Sequence, residues 1–562
     1  LSGERIELSR ERLTSRSTFK PTITLMEEGK RWLIRAPSEA TAALRSCRGP
    51  LFITTSRQWE CPRTPVAAYE LFRSFDIANA SPAFLDAARH GRAISLRIPA
   101  LEDDHEVQGH LGAATLPWRW QRRARLWLEK MFAVPGSGAF LYMGMGTGKT
   151  RTCLDIARKM AWQRVLVCAP KTALPVWEKQ AQLHYPGIFR VVVLNRGSVK
   201  SRSDQMIKAL LYADKPCIIV ANYDIVWKTE FAGRIKGAGF DACIADECHR
   251  LKGRQTQVAK FFHRLWRWIP YRIAMTGTPL SNGALTDFFG QAFFLDPGLY
   301  GTRLGAFEAE YVWRHPERRY IVQWRNTEAF FERFWMITHH EDRSVLDLPD
   351  ITVEERTYTL SGPAAAAYNM MRDEFVAELQ AGIVTATNAA VKVSKLQQIT
   401  SGRVLNENRT ALVVHNEKAD LLEDILRETG DEPIVVFAQF REDLAQVSEV
   451  CAKLKIEYRE VSGRKNQLSD WQGGDGTVLG VQIQAGAESI DLVRAKVAVF
   501  FSLTYSLKNH DQAIARIHRP GQTRNCLIVF LICEHSIDRQ IQMAVNTKRD
   551  LVSLLLASKE VM

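Results

Sequence analysis

The sequence predicts an α/β protein built from two tandem parallel-sheet lobes with helical insertions, preceded by a small α+β accessory domain. Three observations carry the prediction. Short β-rich apolar runs alternate with helical segments in two separate series. The runs are apolar throughout, as strands covered on both faces are. The 562 residues exceed what one hydrophobic core supports.

Residues 1–22 are rich in Ser, Arg and Glu without periodicity and read as a mobile tail. In the accessory domain, 23–111, "RWLIRAPSEATAALRS" and "RQWECPRTPVAAYELFRS" each set a tryptophan (Trp32, Trp59) on a strand, then a Pro-punctuated turn and an Ala-rich helix. Neither unit carries recognisable chemistry. The first lobe, 112–345, holds the runs "AFLYM", "RVLVCAP", "PCIIVA", "DACIAD" and "YRIAMTGTP". The second, 346–535, holds "PIVVFA", "IEYREV", "GTVLGVQI", "KVAVFF" and "CLIVFLI", and Pro349 marks the crossover. Helical, aromatic-rich sequence fills about 285–415 between the two series. At the C-terminus, 536–562, Ile537, Ile541, Val545, Leu551 and Leu555 recur at helical spacing and predict a helix bracing a lobe.

Hydrophobic residues make up 46% and charged residues 24%, an ordinary globular balance that needs no covalent staples. The formal charge of +13 favours a polyanionic partner, nucleic acid first. No run of about eighteen apolar residues and no signal-peptide core occurs. The expectation is a soluble intracellular protein without a membrane partner. The ten cysteines are scattered, many inside apolar stretches, and Cys243, Cys248 and His249 lack the spacing of a zinc site.

The chemistry begins at "LYMGMGTGKT". A strand ends at Tyr142. Gly144, Gly146 and Gly148 let the backbone turn its N–H groups inward, and Lys149 and Thr150 open a helix. Lys149 is placed to neutralise β- and γ-phosphates and the Thr150 hydroxyl to bind Mg²⁺. The usual first glycine of such a loop is Met143 here. In "FDACIADECHRLK" the apolar run stops at Asp246 and Glu247, two carboxylates at the C-terminal edge of a strand, where open α/β sheets bind ligands. Asp246 would hold Mg²⁺ and Glu247 would orient the attacking water. In "DQAIARIHRPGQ", a helix over Asp511–Arg519 puts Arg516 and Arg519 on one face, facing an anion supplied from elsewhere in the chain.

In this order, "GMGTGKT", "DECH", "TGTP" and "QAIARIHRPGQ" resemble the motifs of superfamily 2 helicases, and specifically the Snf2 family of DNA-dependent ATPases. The resemblance covers about 112–562 and implies RecA-like lobes with ATP and Mg²⁺ as cofactors. It implies Gln121 as adenine partner, Trp120 as a stacking residue and Gln512 as a further nucleotide contact. Arg516 and Arg519 would cross the cleft to the γ-phosphate. His249, Thr276, Gly277, Thr278, Gly486 and Asp491 would couple the lobes. The sequence departs from the family at Leu141-Tyr142, where Asp-Glu is usual, and in motif V at Ala487, Ser489 and Asp491.

Loops at the sheet edges supply grips for a nucleic-acid backbone: Lys171, Thr172, Asn222, Arg250 and Lys252 on the first lobe, and Gln439, Arg441 and Gln484 on the second. The expected activity is ATP-driven translocation on double-stranded DNA with little sequence specificity, remodelling DNA structures or displacing bound proteins. A strand-separating DNA or RNA helicase is the alternative, and an inactive nucleic-acid scaffold ranks behind it. The compact layout suits a prokaryotic or viral motor, expected as a monomer, in the cytoplasm or, in a eukaryote, the nucleus.

Overall fold

The computed structural model describes residues 20–28, 31–48, 50–53, 58–97, 112–253, 255–279, 284–315, 321–380, 386–406, 408, 410–483 and 490–547. Gln484, Gly486, Ala487, Ser489, Leu551, Leu555 and nearly all of the expected tail lie outside them.

Five strands form the N-terminal sheet: β1 (Thr22–Glu28), β2 (Arg31–Arg35), β3 (Leu51–Ile53), β4 (Gln58–Pro62) and β5 (Asp76–Ile77), in the order β3-β4-β2-β1-β5. All pairs are antiparallel except β1–β5. Trp32 is buried edge-on to Phe84 of the helix Pro82–Ser95. The two tryptophan-bearing strands are neighbours, with Ile34 opposite Trp59.

A seven-stranded sheet follows: β6 (Gly138–Met143), β7 (Arg164–Ala169), β8 (Arg190–Leu194), β9 (Cys217–Asn222), β10 (Ala242–Asp246) and β11 (Tyr271–Thr276). A hairpin of β12 (Val312–Arg314) and β13 (Ile321–Trp324) interrupts the series before β14 (Thr338–Glu341) closes it. The order is β14-β6-β11-β10-β7-β9-β8, every pair parallel. Every residue of β6, β9 and β10 is buried, which explains their uninterrupted apolar sequence.

Between Glu341 and Ile351 the chain passes to a second parallel sheet. Its strands are β15 (Ile351–Tyr358), β18 (Ile434–Ala438), β19 (Tyr458–Val461), β20 (Val478–Gln482), β21 (Val497–Phe500) and β22 (Cys526–Cys533); β16 (Arg403–Leu405) and β17 (Ala411–Val413) form a separate hairpin. The order is β15-β22-β21-β18-β20-β19. The architecture is therefore α/β, two RecA-like lobes beside a small mixed sheet. Helices Gly362–Gln380 and Ala386–Ser401 follow β15, and Ile537, Ile541 and Val545 pack into the second lobe's core.

The N-terminal sheet is welded to the first lobe. Buried Asp296 accepts from the Thr64 hydroxyl at 2.7 Å, from Val66 N–H at 3.2 Å and from Gly298 N–H at 2.8 Å. Gly298 lies so near the helix Pro65–Ser74 that a Cβ there would stand 2.5 Å from Ala67 N. Fully buried Arg272 donates to Leu295 O, Ile269 O, Pro270 O and Gly136 O beneath the same junction. Burial pushes the Asp296 carboxyl up to about 6 and the Arg272 guanidinium down to about 10. Glu60, also fully buried, pairs with Arg267 across the junction. Asp296→Ala strands three donors without an acceptor, so the chain should lose about 3 kcal/mol of unfolding free energy, read as a lowered urea midpoint. An unchanged midpoint would show the junction to be energetically idle.

Candidate active site

The loop between β6 and the helix Lys149–Lys159 turns through Gly146 and Gly148, both in the left-handed region at φ 84° and 86°. At Gly148 a Cβ would also stand 2.0 Å from Gln121 Nε2. Lys149 Nζ donates to Met143 O at 2.9 Å and Gly144 O at 3.2 Å, so its ammonium lies in the hollow of the loop. Thr150, half-buried, follows in the first turn.

Trp120 and Gln121 both hold this loop from outside. Trp120 Nε1 donates to Thr147 O at 2.9 Å and Gln121 Nε2 donates to the same carbonyl at 3.1 Å. The Gln121 Oε1 accepts from Trp118 N–H at 2.9 Å, so the amide expected to read an adenine is engaged with the protein's own backbone. Trp118, 43% exposed and tilted against Trp120 at 5.0 Å, offers the open aromatic face. Sequence reasoning passed it over, although two tryptophans flanking one arginine were the available signal.

β10 delivers Asp246 and Glu247 to the same cleft. Asp246 Oδ2 accepts from Trp177 Nε1 at 3.1 Å. Glu247 stands in the left-handed region at φ 52°, ψ 53°, which a non-glycine residue adopts at a cost and which turns its carboxylate out of the strand direction. Its Oε2 accepts from Thr276 Oγ1 at 3.0 Å and lies 3.3 Å from His249 Nδ1. Thr276 Oγ1 also accepts from Thr278 N–H, and Gly277 packs close to Met145 of the phosphate-loop turn. Burial, then the neighbouring Glu247, push Asp246 up to about 7. Burial pushes Glu247 up too, but His249, Lys149 and Lys508 outweigh it and bring its carboxyl down to about 2. Burial lowers Lys149, Arg516 acting in the same direction and the two carboxylates against it.

The second lobe faces this cluster with the helix Leu507–Ile517, capped by Ser506, whose hydroxyl accepts from Asn509 N–H at 3.2 Å. The helix ends two residues earlier than expected. His518 leaves the helical region at ψ 86°, because Pro520 disfavours helical backbone at Arg519. Arg516 and Arg519 therefore do not share a helix face; Arg519 sits in the following turn, 3.9 Å from Asp491, with a buried Nε that has no hydrogen-bond partner among the described residues. Gln512, expected at the nucleotide, lies on the same helix and is only 1% exposed. Contacts that cross between the lobes include Lys508 Nζ to His249 Nε2 at 2.9 Å, Arg343 of the crossover to His518 O, and Pro520 against Gly146.

Of the expected backbone grips, Lys171, Thr172 and Arg250 are exposed and Lys252 half-buried. Asp224 lies 3.8 Å from Lys171 and 3.9 Å from Arg250 and ties them into one patch. Asn222 does not join them at the surface: as the last residue of β9 it is 4% exposed. On the second lobe Gln439 and Arg441 line an open groove of about 720 Å³ together with Arg403, Arg464 and Gln482. Among the described residues no helix is long and apolar enough to cross a membrane.

Comparison with known proteins fits this geometry. The SNF2-related domain matches residues 114–409 and the helicase conserved C-terminal domain matches 417–521. Protein p41 of Acyrthosiphon pisum secondary endosymbiont phage 1 is 28% identical over 74% of this chain and 94% of its own. The uncharacterized ATP-dependent helicase MG018 of Mycoplasma genitalium is 23% identical over 75% of this chain but only 40% of its own length. The Sulfolobus solfataricus SWI2/SNF2 ATPase core, solved in complex with dsDNA, is 22% identical over 81% of this chain and 94% of its own, at a TM-score of 0.38. The first of these domains matches more than half of the chain and contains the phosphate loop and both carboxylates of the cleft, and the chain belongs to the SNF2-related ATPases.

Proposed function

We propose that the chain is an ATP-driven translocase on double-stranded DNA. The observation that supports this most directly is the facing of two half-sites. Lys149, Asp246 and Glu247 stand on one lobe, and the helix bearing Arg516 on the other reaches them through Lys508, 2.9 Å from His249.

The roles follow from position. The phosphate loop and Lys149 bind the β- and γ-phosphates, releasing the ammonium from its bonds to Met143 O and Gly144 O. Thr150 and Asp246 would hold Mg²⁺. The donor set fits: a buried carboxylate forced up to about 7 beside a second carboxylate is a site short of positive charge. Magnesium supplies charge neutralisation across the phosphates when bound. Glu247, kept ionised and aimed by Thr276 and His249, orients and polarises the attacking water. Arg516 and Arg519 supply charge to the transferring phosphoryl group once the lobes are shut. Trp118 and Trp120 offer the stacking surface for a base.

Opening and closing of that cleft moves the two sets of grips relative to each other. Lys171, Thr172, Arg250 and Lys252 on one lobe, and Gln439 and Arg441 on the other, would hold phosphates in turn, which positions the DNA without reading its sequence. The match to the SNF2-related domain supports tracking along the duplex over strand separation.

Glu247→Gln should bind ATP as tightly as the parent and lose hydrolysis by orders of magnitude, measured by nucleotide binding and steady-state phosphate release side by side. Parent-like turnover would remove Glu247 from the mechanism. Arg519→Ala should leave ATP and DNA binding intact while kcat falls by ~10³ or more, the scale of an arginine finger. A variant that hydrolyses normally would assign Arg519 to its Asp491 contact alone.

On DNA, ATPase activity should rise with duplexes of arbitrary sequence, and affinity should fall steeply as salt rises because each contacted phosphate releases counterion. The protein should displace the third strand of a triplex with ATP and leave a blunt duplex paired. Unwinding of that duplex, or stimulation by RNA alone, favours the helicase alternative.

A further inference from the structure

Lys508 stands outside the four motifs that mark the chemistry, four residues before Gln512 and one residue into its helix. Its ammonium nevertheless reaches the first lobe, 2.9 Å from His249 Nε2, while the other ring nitrogen lies 3.3 Å from Glu247 Oε2. An ammonium has only protons to give, so His249 Nε2 must accept. That fixes the tautomer: the ring proton resides on Nδ1, 3.3 Å from the Glu247 carboxylate and one small rotation short of a hydrogen bond to it. Thr276 Oγ1 contacts the same oxygen of Glu247 from within the first lobe at 3.0 Å, but only the His249 contact depends on the second lobe.

We propose that Lys508 is a cross-lobe positioning residue that sets the His249 tautomer, and through it the orientation of the Glu247 carboxylate, only when the two lobes are closed. The inference rests on the reading of Glu247 as the group that orients the attacking water. Lys508 and Arg516 ride on one helix, eight residues or about 12 Å apart. A single rigid-body approach of that helix therefore delivers two things together: charge at the phosphate end of the cleft and an oriented base at the water end. If the lobes part, both leave. Hydrolysis then has two locks thrown by one movement, and ATP bound to an open protein is spared.

The test is a double-mutant cycle on the full chain, with ATP affinity, DNA affinity, kcat and KM measured for each protein. Lys508→Met should lower DNA-stimulated kcat by about tenfold, a size usual for coupled contacting groups, while ATP and DNA affinities stay at parent values. Lys508→Gln, which keeps a polar side chain should the methionine variant fold poorly, should show the same kcat loss. Lys508→Arg should restore most of the rate, because it also donates. His249→Ala should lower kcat alone, and adding Lys508→Met to it should cost nothing more. Fully additive losses would overturn the proposal, as would parent kcat in both Lys508→Met and Lys508→Gln, or a loss confined to KM. Glu247→Gln separates the two layers. If that variant turns over normally, the assignment of Glu247 fails; if it is inactive while Lys508 and His249 act independently, only the coupling proposed here fails.

Discussion

Three charges are confined at the C-terminal ends of β6 and β10: the Lys149 ammonium and the carboxylates of Asp246 and Glu247. Such a cluster is costly in a dry cleft, and its members are held at unequal values, Asp246 near neutrality and Glu247 far below it. Most of the surrounding structure serves to keep them apart and aimed. Trp177 fixes one carboxylate from behind, Thr276 holds the other with His249 close by, and two backbone carbonyls of the phosphate loop hold the ammonium. The loop is held in turn at Thr147 by two side chains of the helix Arg119–Met131. Preorganisation here is a nested set of hydrogen bonds, each supporting one nearer the chemistry.

The fold was legible because buried parallel strands leave a local record. An apolar run bounded by Gly or Asp needs no long-range information to be read as a strand, and β6, β7, β9, β10 and β11 were each visible in this way. The carboxylates and the phosphate loop were legible for the related reason that strand ends in such sheets are where ligands bind. What stayed hidden depended on contacts between distant residues. The burial of Asn222 and Gln512 is decided by what packs over them. The early end of the Arg516 helix turned on weighing one proline against helical spacing. Lys508 has no local signal at all; it matters only because His249, 259 residues away in sequence, is opposite.

The engagement of Gln121 carries a related lesson. A side chain placed by family resemblance at the base of a nucleotide is here a clamp on the phosphate loop, close against Gly148, whose left-handed backbone already calls for glycine. A group that must let go of the loop in order to greet a base makes binding of the base and relaxation of the loop parts of one exchange. The neighbouring Trp118 needs no such release and is already open.

The junction at Asp296 has a mechanical meaning. A domain hung on a flexible linker averages away the movements of what it is attached to; one clamped by a buried carboxylate, a buried Glu60–Arg267 pair and a glycine at van der Waals contact has no play. The N-terminal sheet is thus a lever arm and not a tether. Whatever displacement the first lobe undergoes, the N-terminal sheet undergoes as well, with no lag between the two. A stroke generated in the cleft would emerge there as a directed push with no slack to take up first.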